Sequence, residues 1–204
     1  MNTAKADFDR RLQEIEDYIK YLESLEKVIG ISVNLMATMK ASTLLMLYNL
    51  VESTMTNIVQ AVFDHFRQKS VGFNSMNDVM KAMVLKNVKK RSAVPLVEKM
   101  RTKALDVAIA SFDRADVFSG NVDSQKIRET LKEFGIGKLS KFKEPVLLEI
   151  KNIRNDLAHG AQSFADAGKI YTAQELRLKH AKVGKELQRV LAAFQSYVDT
   201  GGYT

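Results

Sequence analysis

Cysteine and tryptophan are absent from this chain, proline occurs only at Pro95 and Pro145, and no apolar run is long enough to cross a bilayer. Without cysteine there is neither a disulfide nor a thiolate metal site, a composition that suits a reducing cytoplasm. With so little proline, nothing interrupts the long stretches of Leu, Met, Ala, Lys and Glu, and an all-α fold is expected. The most apolar stretch, Ala41 to Val51, carries Asn49 and is bounded by Lys40 and Glu52, too short for a span. Met1 to Asp7 lacks the apolar core of a signal peptide. A soluble, cytoplasmic protein without a membrane partner is the expectation. No Gly-rich phosphate loop precedes a helix, which argues against an NTPase, and there is no His-Glu-x-x-His pattern or other close ligand cluster. No metal and no cofactor are therefore expected.

What is present is apolar residues at helical spacing. The 204 residues fit one domain, 1–204, large enough to bury a core. Phe8, Leu12, Ile15, Ile19, Leu22, Leu25 and Ile29 predict a first helix from about Asp7 to Ile29, ending near Gly30. Leu44, Tyr48, Val51, Met55, Ile58, Val62 and Phe66 predict a second from about Lys40 to Gln68. Ser75 and Asp78 have the spacing of a capping box for a short helix to about Val88. Pro95 fits the first turn of a helix through Met100, Leu105, Ala108 and Phe112.

After a loop at Phe118–Asn121, Asp123 or Ser124 caps a helix bearing Ile127, Leu131 and Phe134, stopped by Gly135. Pro145 opens a helix that Gly160 closes, and Thr172 with Glu175 caps a last helix running through Leu176 to Val198. Met36, Met39, Met46 and Met55 read as core filler, and His65 and His180 as surface or helix-stabilising residues.

Lysine and arginine outnumber Asp and Glu by 31 to 24. The excess concentrates between Lys81 and Lys103, where Glu98 is the lone acid. Such a segment attracts a polyanion, or simply forms a solvated helical face.

The chemistry concentrates in Ile153-Arg154-Asn155-Asp156-Leu157-Ala158-His159-Gly160. Arginine supplies a planar fork of donors suited to phosphate, and histidine moves a proton near neutral pH. At ~100° per residue, Val146, Ile150, Ile153 and Leu157 share a core arc, while Asn155 and His159 fall nearly opposite, with Asn152 near them and Arg154 between the two faces. Leu148 shares the outward face, which implies that something covers it; a second copy of the chain is the economical candidate. Two facing helices would bring together the acid and the base that RNA transesterification needs. The ordinary alternative is a cationic His favoured by the helix dipole at a C-terminus stopped by glycine.

Arg154 to His159 resembles the Arg-x4-His motif of the HEPN superfamily, the higher eukaryotes and prokaryotes nucleotide-binding proteins. The resemblance to its stand-alone MAE-type branch extends to three further blocks: Leu47-Tyr48-Asn49-Leu50-Val51-Glu52-Ser53-Thr54; Phe118 to Asp123 running into Lys126-Ile127-Arg128; and Gly160-Ala161-Gln162-Ser163-Phe164 closed by Gly168. It implies an antiparallel helical bundle with extra short helices and loops, dimerising through the motif helix. It also implies a metal-independent endoribonuclease of toxin–antitoxin or anti-phage systems, with RNA, a second copy and an antitoxin or defence-system protein as partners. By motif position Arg154, Asn155 and His159 are the catalytic residues. Beside them Lys151 adds positive potential and Asn152 lies near the His159 side, which makes both RNA-binding candidates, and Glu52, near where the related family also places a polar residue, is an auxiliary residue that braces Arg154 or sits on the rim or surface. The alternative is a non-catalytic RNA-, nucleotide- or protein-binding module on the same scaffold.

Overall fold

A computed structural model describes residues 1–89, 118, 120–139 and 144–204. Among them are seven α-helices and no strand: α1 (Asn2–Leu25), α2 (Val33–Gln68), α3 (Asp78–Lys89), α4 (Ser124–Glu133), α5 (Pro145–Ala158), α6 (Phe164–Gly168) and α7 (Ala173–Asp199), with 3-10 turns at Phe73–Ser75 and Gly137–Leu139. The helix expected from Pro95 and most of the basic 81–103 segment lie outside the described residues. The all-α expectation holds.

α2 is the axis of the bundle, packed by α1, α5, α6 and α7. Its predicted stripe is the core: Leu44, Tyr48, Val51, Met55, Ile58, Val62 and Phe66 are all buried. Cross-helix pairs fix the directions. Asn57 donates to Asp7 (2.9 Å), so the start of α1 lies beside the latter half of α2, and the two run antiparallel. Arg177, early in α7, forks onto Glu23, late in α1, through two 2.6 Å bonds, making α7 antiparallel to α1 as well. His180, expected to be a surface or helix-stabilising residue, is buried and its Nε2 bonds the Leu12 carbonyl oxygen at 2.9 Å, tying α7 to α1. Helical periodicity does not reveal that partner, since the pairing spans 168 residues of sequence.

At one end of the bundle Phe63, Phe66, Phe134, Phe194, Tyr197 and Tyr203 meet edge-on or tilted, the arrangement aromatic quadrupoles prefer. Met55 is in the core and Met36, Met39 and Met46 pack against it, as expected of flexible filler.

Four boundaries differ from the periodic pattern, the first being the start of α1, at Asn2 rather than near Asp7. α1 stops at Leu25 because the next amides, Lys27 to Ser24 and Val28 to Leu25, tighten into three-residue hydrogen bonds, and Gly30 then turns at φ +96°. Ile29 is thereby swung off the stripe and fully exposed. α2 begins at Val33 rather than Lys40: Ser32 accepts the Leu35 N–H, and tertiary packing supplies what the weak helix formers Val33 and Asn34 do not.

The reason is visible on the other side of that turn. A Cβ at Gly168 would lie 1.7 Å from the Ala37 carbonyl oxygen, so the α6 backbone lies directly against α2. Lastly, Asn77 caps α3, accepting the Met80 N–H at 3.0 Å, while Ser75 is occupied in the 3-10 turn, its hydroxyl donating to the Gly72 carbonyl oxygen. Asn77 is held there by the C-terminal turn: its N–H donates to the Tyr203 carbonyl oxygen and its side-chain amide to that of Gly202.

Candidate active site

α5 is a two-sided helix whose sides follow from the sequence. Pro145 sits in its first turn, where a missing N–H costs nothing. Val146, Leu147, Ile150 and Leu157 are buried, and Ile153 is half-buried between the main core and a small cluster of Ala41, Leu157 and Ala167. Leu147 widens the apolar arc beyond the four predicted residues. Two ties brace the first half of the helix against α7 and its approach: Glu149 accepts the Tyr171 hydroxyl (2.7 Å) and the Lys179 ammonium (2.6 Å).

At its end, His159 is the C-cap and Gly160, at φ +69°, takes the left-handed position that an L side chain resists. Ala161 N–H reaches the Asp156 oxygen (2.9 Å) and Gly160 N–H the Leu157 oxygen (3.3 Å), the paired bonds of a Schellman stop.

The outward face carries Leu148, 47% exposed, with Asn152 and His159 exposed and Asn155 half-buried. Among the described residues nothing hydrogen-bonds the His159 imidazole. Arg154 and His159 are separated by about 140° around the helix and ~7.5 Å along its axis, so one α5 does not aim both groups at one point.

Arg154 leans the other way, towards α2. Its Cζ lies 5.1 Å from the centroid of the Tyr48 ring, and its Nη1 donates to Asn155 Oδ1 at 2.9 Å. The Asn155 amide makes a long 3.5 Å contact to Asn121 Oδ1. Gly120 closes against the guanidinium: a Cβ there would stand 2.6 Å from Nη2 and push the side-chain tip aside, and the backbone φ of +78° is one that favours glycine.

The loop that carries Gly120 is anchored at each step. Gly120 N–H donates to Glu52 Oε1 (2.8 Å), and Val122 N–H donates to the Tyr48 hydroxyl oxygen (3.3 Å). Asp123 Oδ1 caps α4 by accepting the Gln125 and Lys126 N–H groups, while its Oδ2 takes the Lys151 ammonium at 2.6 Å.

The electrostatics follow from these contacts. Burial pushes the Asp123 carboxyl up, but Lys151 and the two backbone donors outweigh it and hold it below the ordinary carboxylate range. Burial raises the Tyr48 phenol, so it meets Val122 as a neutral acceptor. Glu52 does not reach Arg154 itself but accepts the N–H of Gly120, whose backbone lies against the guanidinium. Lys151, an RNA-binding candidate by sequence, is ion-paired within the chain with its side chain 18% exposed.

The structure thus brings Arg154 and Asn155 together, sets Asn152 and His159 outward, and draws in Tyr48, Gly120, Asn121 and Asp123. Tyr48 reads as an ordinary core aromatic in the sequence; its one signal is Glu52 four residues on, a charge interrupting the same apolar helix. Among the described residues no group of three or more His, Cys, Asp or Glu is arranged to hold a metal ion, and no helix is long and apolar enough to cross a membrane.

No curated protein and no solved structure matches the chain. The profile of the MAE_28990-like HEPN family matches residues 2–203. That match spans the whole bundle, motif helix included, and the chain belongs to the MAE_28990-like HEPN family.

Proposed function

We propose that the chain is a metal-independent endoribonuclease whose working unit is a homodimer joined along α5. Family membership supports a nuclease or RNA-binding role, and the observation that carries the finer reading is the division of α5. Arg154 is fixed against α2 with Asn155 beside it, while the His159 imidazole stands exposed at the end of the outward stripe.

In this reading one His159 takes the 2′-OH proton, and the oxygen attacks the adjacent phosphorus. The His159 of the second copy protonates the departing 5′-oxygen, which leaves a 2′,3′-cyclic phosphate and a 5′-hydroxyl. The Arg154 guanidinium stabilises charge on the phosphorane-like transition state, and Asn155 keeps its fork oriented. Asn152 lies on the path of the strand along α5. Lys151 adds positive potential while holding Asp123 in place. A toxin–antitoxin or phage-defence setting in the cytoplasm, with a partner protein restraining the activity, fits such an enzyme.

The second reading is a binding module that holds RNA or a nucleotide through the same face without cutting it, which family membership also supports.

The test is cleavage by purified protein in excess chelator, paired with Leu148→Glu. A charge at this 47%-exposed position on the stripe opposes dimerisation without entering the core. The expected result is that wild type cuts RNA and spares DNA of the same sequence, and that Leu148→Glu loses dimer and cleavage together. Saturable RNA binding with no cleavage supports the binding module instead. Full cleavage by a monomeric Leu148→Glu protein refutes the composite site.

A further inference from the structure

The Tyr48 side chain performs two tasks that core packing does not require. It is buried at 1% exposure among the α2 stripe, yet its ring face lies under the Arg154 guanidinium and its hydroxyl oxygen holds the Val122 N–H. One turn further along α2, Glu52 spends a carboxylate oxygen on the Gly120 N–H. At those anchors the backbone passes so close to the guanidinium that a methyl group at position 120 would push Nη2 aside.

An arginine side chain gives up its rotamer freedom whenever its fork is fixed on a phosphate. A slot that fixes the fork beforehand removes that loss from the binding step. A cation over an aromatic face is itself favourable, and more so when desolvated.

We infer that Tyr48 is a positioning residue for Arg154: its ring carries the guanidinium while its hydroxyl, together with Glu52, clamps the 120–123 loop against it. The inference rests on Arg154 being the phosphate-binding group proposed above. Three features distinguish this slot from incidental packing. Its two anchors come from consecutive turns of one helix. Both are polar groups pointed at backbone N–H donors of one short loop. The loop in turn closes on the one motif residue that leans towards α2 rather than outward. Asn155 completes the arrangement from the α5 side by taking Nη1.

Two measurements test the inference, and only one of them involves RNA. In the NMR spectrum the Arg154 Nε–Hε signal, assigned by its loss in Arg154→Lys, is expected to be shifted upfield by the Tyr48 ring current. It keeps that shift in Tyr48→Phe and loses it in Tyr48→Leu. Gly120→Ala, a change in the loop rather than the core, also moves it, because the added Cβ displaces the guanidinium; this variant serves if Tyr48→Leu does not fold. An Arg154 signal unchanged in both Tyr48→Leu and Gly120→Ala overturns the inference, whether or not the protein cuts RNA.

The second measurement is a double-mutant cycle read as affinity for 2′-O-methyl RNA, which lacks the attacking hydroxyl. Tyr48→Leu is expected to weaken binding roughly tenfold when Arg154 is present and by less than about twofold in the Arg154→Ala background. Equal losses in both backgrounds mean that Tyr48 acts through stability alone, which also overturns the inference. Wild-type protein that shows the ring-current shift but cuts no RNA leaves the slot standing and removes the ribonuclease reading.

Discussion

Gly168→Ala lowers the melting temperature by roughly 6–12 °C, because about 3 kcal/mol of overpacking spreads over a chain of this size at ~2–4 °C per kcal/mol. A Cβ at 168 would lie 1.7 Å from the Ala37 oxygen, 2.7 Å from the Ala37 carbonyl carbon and 2.9 Å from the Ala41 nitrogen. All three are backbone atoms of a long, central helix, so no side chain can turn aside to make room. α6 has to move instead. That movement opens the small cluster of Ala41, Leu157 and Ala167, which anchors the last turn of α5 next to His159. Gly72→Ala is the control: its Cβ meets nothing within 4 Å, and its melting temperature should stay within ~2 °C of wild type. Thermal unfolding followed by circular dichroism checks both. A Gly168→Ala protein as stable as the control would mean that α6 does not dock on α2 as described.

His159→Ala and Arg154→Ala produce the largest losses of activity. Removing a general acid or base costs about 10²–10⁴-fold, and removing a positioned cation at a developing negative charge costs about 10²–10³-fold. Arg154→Lys does not restore the rate, since an ammonium lacks the planar fork that both Asn155 and a phosphate engage. Asn155→Ala is milder, at roughly tenfold, because Tyr48 and Gly120 still confine the guanidinium. The two strong variants separate by binding: His159→Ala keeps its affinity for RNA, whereas Arg154→Ala weakens it. His159 is exposed, so its variant should melt close to wild type, whereas Arg154→Ala gives up the contact with the buried Tyr48 ring, about 1–2 kcal/mol, and should melt roughly 2–8 °C lower. Steady-state cleavage with and without each substitution measures this, and wild-type rates in both variants would remove α5 from the reaction.

The legible and illegible parts of the structure divide by range. Local rules place α5: Pro145 begins it, Gly160 ends it, and the burial of Val146, Ile150 and Leu157 with His159 outside follows from helical spacing alone. The stripe on α2 and the capping box of Thr172 and Glu175 are equally local, and both are present. Where an outcome depends on a distant partner, periodicity carries no information. Ile29 continues the α1 pattern yet lies in solvent, because hydrogen bonds at Lys27 and Val28 change the turn just before it. Asn77 outcompetes Ser75 as a cap because residues 202 and 203 hold it in place.

The site shows the same division. Arg154, Asn155, Asn152 and His159 stand where a helical wheel puts them, whereas the Tyr48, Glu52 and Gly120 slot depends on contacts across 68 and 74 residues of sequence. Lys151 is the instructive case. A lysine beside a phosphate-binding motif reads as a ligand for RNA, and its ammonium is instead paired with the carboxylate that caps α4.

The measurement that bears most directly on the account is the chemistry of the cut ends. RNA digested by the purified protein in excess chelator should carry 2′,3′-cyclic phosphates and 5′-hydroxyls, and a single 2′-O-methyl group at the cleaved position should block the cut. Ends with a 3′-hydroxyl and a 5′-phosphate, or a cut that proceeds past the 2′-O-methyl group, would contradict attack by the neighbouring hydroxyl and with it the roles given to His159 and Arg154.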